Sequence, residues 1–310
     1  TGEDTLSLHD ALPISTAVTL GLPAMARDLG VSPDSAIWIV NGFQIAALVA
    51  LLPLANLGER ITYRRVYLAG AALWGAASWV ASVADSMTVL VVARIAQGLG
   101  AAGLMAVNAA LVRITWPLPL LGRGVALNSA VVSVATVLGP VIAAAILSAG
   151  SWRWLFAMNV PASLLLLAIG HRALPVNPKA TDTPPPSLAD LLLNTGLFVL
   201  LFMAVDRFGQ SFRAEGGQAR SLAQGAALLA LGGLVAVVHV RRQWHRPRAL
   251  LPVDLLRIPV FRLSMMTSVG SFAAQTITYI VLPFLLLEQW QATASQAGLL
   301  MAYWPVGTIF

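Results

Sequence analysis

The feature that most constrains this chain is a series of apolar blocks, each about 20 residues long, separated by short polar connectors. A helix of about 20 apolar residues crosses the hydrocarbon core of a bilayer and satisfies its own backbone hydrogen bonds there. Only 10% of the 310 residues are charged, whereas a soluble domain has about 25%. The sequence therefore predicts an all-α polytopic membrane protein with about nine complete transmembrane helices and a partial tenth. The predicted spans are 14–27, 36–56, 66–84, 87–109, 124–148, 154–171, 188–206, 221–240, 261–287 and a partial one from about 295.

The distribution of Lys and Arg predicts the orientation. With the N-terminus in the cytoplasm, thirteen of the 19 Lys and Arg residues lie in inside connectors, five lie in outside connectors, and Arg94 lies within a span. Cytoplasmic connectors of membrane proteins carry this excess. It accounts for the net charge of +6, and a nucleic-acid partner is not predicted, since no soluble domain carries a basic face.

The connectors also suggest how the chain is divided. We expect residues 1–14 to be a non-native leader, because they are polar and lack the basic start and apolar core of a signal peptide. Residues 15–175 form a six-helix bundle whose first helix is truncated, and the proline-rich stretch 176–187 is a cytoplasmic linker. We expect residues 188–245 to form the next two helices and 246–310 to begin a further bundle.

The stretch Leu90–Met105, LVVARIAQGLGAAGLM, combines membrane-like apolarity with two strongly polar residues. Arg94 and Gln97 are three positions apart, so they share one helix face. A charge at this depth normally faces the protein interior or a watery cavity. Gly98, Gly100 and Gly103 allow neighbouring helices to approach closely. We therefore expect a central membrane helix with a polar stripe facing a cavity.

Several classes of site are absent from the sequence. There is no cysteine, no histidine pair with zinc spacing and no Walker phosphate loop. Gly98 to Gly103 match the GxGxxG pattern, but they lie inside an apolar helix with no acid about 20 residues later. We predict no cofactor, no metal and no enzymatic activity.

Four motifs occur in the order found in one transporter family. They are a loop with an acid and three arginines (Glu59, Arg60, Arg64, Arg65), the Arg94-x-x-Gln97-Gly98-x-Gly100 helix, the pair Gly139-Pro140 inside the fifth span, and the Trp-Arg-Trp run with Trp152, Arg153, Trp154, Asn159 and Pro161. Together they resemble the major facilitator superfamily, and the last one resembles its fourteen-helix drug:proton antiporters, the EmrB/QacA-like subfamily. The resemblance implies that 188–245 are the two helices that this subfamily inserts between two six-helix halves, and that 246–310 begin a C-terminal bundle that is truncated. Two positions of the loop depart from the family pattern, Ala55 and Thr62, which stand where the family has glycines.

The resemblance implies the role of each motif. The family's fourth-helix arginine takes part in proton coupling, so Arg94 and Gln97 would serve coupling and line the cavity. The loop would latch the two halves on the cytoplasmic side, and Gly139 and Pro140 would kink the fifth helix at the interface. Asn41, Gln44 and Asn128 are further polar candidates for the cavity; interhelical hydrogen bonding is the alternative for each. The carboxylate of the family's first-helix motif would fall on Ile14, and no other carboxylate lies in the middle of a span.

The function implied is efflux of lipophilic or cationic small molecules across the bacterial inner membrane, driven by proton entry through alternating access. Its partners would be the substrate, protons and the lipid bilayer. Two alternatives stay open at this point: a family exporter of a physiological solute, and a truncated membrane fragment that transports nothing.

Overall fold

The computed structural model describes residues 12–176, 187–211, 218–244, 255, 257–284 and 290, and the described residues form helices and connectors without a strand. In chain order the helices are α1 (Leu12–Asp28), α2 (Pro33–Ala36), α3 (Trp38–Ile61), α4 (Tyr63–Ser82), α5 (Met87–Thr115), a 3-10 turn (Leu118–Leu120), α6 (Leu121–Ala149), α7 (Trp154–Ala157), α8 (Asn159–Ala173), α9 (Leu188–Ser211), α10 (Gln218–Gln243) and α11 (Pro259–Phe284). The nine predicted complete spans all coincide with helices, and the prediction of an all-α membrane protein is confirmed.

Within the described residues, five helical segments are long and apolar enough to cross a membrane. They are Trp38–Ile61, Met87–Thr115, Trp154–Ala173, Leu188–Ser211 and Gln218–Gln243. Most of the predicted leader, the linker 177–186, the start of the C-terminal bundle and the partial tenth span lie outside the described residues.

The chain divides into two compact units. The first contains residues 1–21, 112–152 and 254–310, and therefore α6 and α11. The second contains residues 22–111 and 153–253, and therefore α3, α4, most of α5, and α7 to α10. The two helices predicted as an insertion, α9 and α10, pack against each other, and α9 also packs against α3.

Local sequence sets several helix boundaries. Ser32 caps α2 by accepting a hydrogen bond from the backbone N–H of Ser35 at 3.3 Å, and Pro33 follows at the first helical position. Proline suits that position because its missing N–H would have no helical partner there. A connector between α3 and α4 consists of Thr62 alone, so these two helices are joined almost directly.

An apolar cluster fixes the end of α3 where it turns into α4. Its buried members are Val66, Val107 and Leu111, from α4 and α5, with Leu57 and Tyr63 packed against them. Gly58 fits here because an added Cβ would lie 2.7 Å from Val107 Cγ1. The cluster therefore holds the predicted latch loop against α5.

Candidate functional site

The site is built around Arg94, whose side chain is fully buried in the second unit. Its Nε donates to the carbonyl oxygen of Ile39 on α3 at 2.9 Å. Its Nη1 donates to Oε1 of Gln97, one turn further along α5, also at 2.9 Å. Gln97 is equally buried, and its Nε2 donates to Oγ of Ser78 on α4 at 2.6 Å. One chain of hydrogen bonds thus joins α3, α4 and α5.

Two aromatic rings complete the surroundings of the guanidinium. The Arg94 Cζ atom lies 4.3 Å from the ring centroid of Phe43 on α3 and 5.8 Å from that of Phe156 on α7. A guanidinium over an aromatic face is attracted by the ring quadrupole, by about 0.5–2 kcal/mol depending on desolvation. Both rings are buried. The attraction therefore acts where water does not weaken it.

The guanidinium is not fully compensated. Its Nη2 atom is buried and has no hydrogen-bond partner among the described residues. The ion pairs in the described part of the chain involve Arg153 and Arg242, so no described carboxylate neutralises Arg94. The N–H group of Nη2 can donate a hydrogen bond to an anionic or strongly polar group. Binding such a group is therefore the chemistry that the site offers.

Glycines bring the three helices close enough for this network. A Cβ added to Gly98 would lie 2.4 Å from the carbonyl oxygen of Phe43 on α3. A Cβ on Gly100 would lie 2.7 Å from the backbone nitrogen of Trp74 on α4. Real Cβ atoms do not approach backbone atoms so closely, so only glycine fits at these crossings. The expected role of these glycines agrees with the geometry.

The other predicted cavity residues are placed differently. Asn41 is half-buried and Gln44 is exposed, both on α3, and neither hydrogen-bonds to Arg94 among the described contacts. Asn128 is half-buried on α6, in the first unit. The polar stripe of α5 was expected to face a cavity, whereas this structure encloses Arg94 and Gln97 between helices. The reason is that Ile39, Gln97 and Ser78 supply hydrogen-bond partners within the protein. In an open cavity, water molecules would take those places.

In the predicted latch loop, Thr62 has an unusual backbone conformation. Its φ is +147°, a region that favours glycine, and the sequence has threonine where the resembling family has glycine. The Thr62 Oγ1 atom accepts a hydrogen bond from the backbone N–H of Arg65 at 3.3 Å, which caps α4. Thr62 thus adopts a backbone conformation that glycine reaches more easily, and its side chain caps α4.

The charged residues of the loop are largely on the surface. Glu59 and Arg65 are exposed, and Arg60 and Arg64 are half-buried. Arg64 Nη2 donates to the carbonyl oxygen of His171 at the end of α8. Glu59 has no ion-pair partner within the part of the chain that the structure describes. The latch role of these four residues stays a prediction.

We expect Thr62→Gly to raise the thermal stability of the protein. It relieves backbone strain of about 1–3 kcal/mol, while exchanging a threonine cap for glycine removes only a few tenths. Thr62→Ala keeps the strain and loses the cap, so it should lower stability by about 1 kcal/mol. Thermal unfolding of the two purified variants beside the wild type checks this. Equal melting temperatures for the glycine and alanine variants would show that the backbone at Thr62 is not strained.

The Trp-Arg-Trp run joins three connectors. Arg153 Nη1 pairs with Asp28 Oδ2 at 2.6 Å, and its Nη2 lies 3.4 Å from Asp85 Oδ1 and 3.1 Å from the Ala84 carbonyl oxygen. All of these lie in connectors that the charge distribution places on the outer side. Arg153 therefore ties the end of α1 to the α4–α5 and α6–α7 connectors.

The remaining signature residues differ in their burial. Trp152 is buried, whereas Trp154 is exposed and Pro161 lies on the exposed side of α8. The Asn159 Nδ2 atom donates to the Leu155 carbonyl oxygen at 3.2 Å. In the first unit, α6 continues through Gly139 and Pro140 as one helix. The predicted kink stays a prediction.

Sequence reasoning missed two residues. Ser78 is fully buried and ends the Arg94 network, but a serine in an apolar span gives little signal in sequence. Asp190 falls inside the predicted span 188–206 but was given no role, and the structure places it in the first turn of α9 with 2% of its surface exposed. Its Oδ1 accepts a hydrogen bond from Arg242 Nε on α10 at 2.8 Å. An Asp three residues after a serine is a capping pattern and could have revealed this position.

Comparisons with known proteins agree with the helical architecture. The family model described as Major Facilitator Superfamily matches residues 12–310. The chain is 42% identical over 290 residues to the uncharacterized transporter YebQ of Escherichia coli, covering 94% of this chain and 62% of that relative. It is 30% identical over 294 residues to a lincomycin resistance protein of Streptomyces lincolnensis, covering 94% of this chain and 58% of that relative. The chain thus spans about three fifths of the length of these relatives.

A solved structure shows the same fold. The proton:xylose symporter XylE superposes with a TM-score of 0.51 at 14% sequence identity, covering 99% of this chain and 68% of XylE. At this identity the likeness concerns the fold alone. The family model, however, spans nearly the whole chain. From these matches and the helical fold, we conclude that the chain belongs to the major facilitator superfamily.

Proposed function

We propose that this protein exports lipophilic or cationic toxic compounds across the bacterial inner membrane by alternating access, driven by proton entry. The observation that carries the proposal is the fully buried Arg94, held by Ile39 and Gln97, with its Nη2 atom unpartnered among the described residues. A charge at the centre of a membrane helix costs about 2.5–3.5 kcal/mol on insertion scales. A group this costly marks a functional site.

The open Nη2 donor suggests how coupling works. An ionised carboxylate facing Arg94 would complete the hydrogen bonds of the guanidinium and neutralise it. Protonation of that carboxylate would weaken the pair and free Arg94 to rearrange with its helix. The proton would then shift the equilibrium between two conformations, because the contact between Arg94 and the carboxylate would be strong in only one of them. In this proposal the acceptor is an anionic or polar group, either a carboxylate of the protein or a polar group of the substrate.

Two further observations support the fourteen-helix antiporter subfamily. The Trp-Arg-Trp run links connectors through Arg153, which gives the signature a structural purpose. Helices α9 and α10, which the subfamily would insert between two six-helix halves, pack against each other, and this supports the assignment. The similarity to a lincomycin resistance protein also favours export of a toxic compound over uptake of a nutrient.

We propose the cytoplasmic latch for Glu59, Arg60, Arg64 and Arg65. Glu59 is exposed at the end of α3 and has no ion pair in the described part of the chain, so it can pair with a basic group of the other half. Such charge contacts break and form as the halves rock. Gly139 and Pro140 would give α6 the flexibility to follow this motion.

The test is efflux of a fluorescent lipophilic cation from cells that express the protein, with and without a protonophore. We expect efflux that the protonophore abolishes, because proton entry supplies the free energy. Efflux that persists with the proton gradient collapsed would refute proton coupling. If none of a panel of such cations is exported while the protein is present in the membrane, the proposed substrate class is refuted. Export of a physiological solute is then the remaining alternative.

A further inference from the structure

Helix α3 carries a proline in its interior, and this leaves one carbonyl without its helical partner. Pro53 lies within Trp38–Ile61. Proline has no backbone N–H, so the carbonyl oxygen of Val49, four residues earlier, receives no hydrogen bond from that position. In a membrane such a group must find another partner, because there is no water to supply one.

The partner comes from a distant part of the sequence. The Nδ2 atom of Asn194 donates to the Val49 carbonyl oxygen at 3.0 Å, across a separation of 145 residues. Asn194 lies on α9 and is fully buried. Its amide therefore takes the place of the N–H that Pro53 lacks.

The same face of α9 is also tied to α10. Asp190 lies four residues before Asn194, which is one helical turn. It accepts hydrogen bonds from the backbone N–H and Oγ of Ser187 and from Arg242 Nε on α10. One face of α9 thus holds α10 through Asp190 and α3 through Asn194.

We propose that Asn194 is a positioning residue that docks the helix pair α9–α10 onto the proline site of α3. Through this contact the pair limits bending of α3 at Pro53. The last turn of α3 contains Glu59 and Arg60. The helix pair α9–α10 therefore also sets the position of the latch loop. The two inserted helices are then a working part of the bundle, independently of which substrate the protein exports.

A double-mutant cycle tests the docking. The variants are Asn194→Leu, which keeps the volume and removes the amide, Pro53→Ala, which restores an N–H to α3, and the double variant. The readout is the melting temperature of purified protein. In the wild-type background we expect Asn194→Leu to lower the melting temperature by about 2–4 °C. In the Pro53→Ala background the loss should vanish, because Val49 then has its helical partner.

Pro23→Ala is the matched control background, since Pro23 lies inside α1 instead of α3. There, Asn194→Leu should lower the melting temperature as much as in the wild type. An equal loss in all three backgrounds would overturn the proposal. If Asn194→Leu does not fold alone, its rescue by Pro53→Ala supports the docking, and failure in both backgrounds overturns it.

A spectroscopic readout separates positioning from general packing. The chain has no cysteine, so two introduced cysteines can carry spin labels at Trp38 and Glu59, which are exposed near the two ends of α3. At 1.5 Å per residue they are about 30 Å apart. We expect Asn194→Leu to broaden the distance distribution and the added Pro53→Ala to narrow it again. A distribution that Asn194→Leu leaves unchanged would overturn the control of bending.

Discussion

Arg94→Met is expected to leave the thermal stability of the protein unchanged or raised, and to reduce efflux to background. Methionine fills a similar elongated space and removes a buried charge that the described residues do not neutralise. Removing a buried charge that has no ionic partner recovers its desolvation cost, and this offsets the loss of the hydrogen bonds that Ile39 and Gln97 accept from Arg94. Loss of a charge interaction worth about 3 kcal/mol in the transport cycle corresponds to roughly a 100-fold slower rate. Efflux assays and melting curves on the same variant measure the two effects.

Ile95→Met is the matched control, because Ile95 is the next residue on α5 and its side chain is 40% exposed. It should change neither efflux nor melting temperature. Efflux by Arg94→Met at the wild-type rate would remove the coupling role from Arg94. A variant that loses stability together with activity would instead show that the arginine only holds α3, α4 and α5 together.

Gly98→Ala is expected to lower the melting temperature by about 2–10 °C and to reduce efflux. The new Cβ would lie 2.4 Å from the Phe43 carbonyl oxygen and 2.9 Å from Ala46 Cβ, both on α3. Overpacking costs about 1–3 kcal/mol, and backbone atoms have little room to yield. Separation of α3 from α5 would also lengthen the bond from Arg94 to Ile39. Melting curves and efflux assays on the purified and expressed variant check both effects.

Gly233→Ala provides the comparison, since a Cβ there meets nothing within 4 Å. Alanine has the higher helix propensity, by about 1 kcal/mol. The melting temperature of this control should therefore stay constant or rise. Similar losses for both variants would indicate that glycine content, and not the close crossing at Phe43, governs stability.

The helices could be predicted almost completely from sequence. Apolar blocks of membrane length are decided locally, because each helix satisfies its own backbone and needs no distant partner. Each of the nine predicted spans coincides with helix over its described residues, and five of the helical segments are long and apolar enough to cross a membrane. Several helices extend a few residues further, as at Thr115 and Ser211. The pairing of Arg94 with Gln97 was also predictable, since three-residue spacing fixes a common face.

The partners of these residues on other helices were not predictable. Ser78 and the Ile39 carbonyl oxygen come from helices whose rotation and depth depend on packing. The sequence also predicted the span that contains Asp190, but not its ion pair with Arg242 from the next helix. These contacts join residues far apart in the chain, so local sequence patterns do not predict them.

Thr62 and Pro53 show both sides of this division. Sequence alone shows that a non-glycine residue stands at the turn and that the proline in α3 leaves one carbonyl without its helical partner. The φ of +147° at Thr62 and the hydrogen bond from Asn194 to Val49 are visible only in the folded protein. The covalent structure leaves a polar group without its local hydrogen-bond partner, as a proline does. Which distant group forms that hydrogen bond depends on the close packing of helices, and that packing is a property of the whole fold.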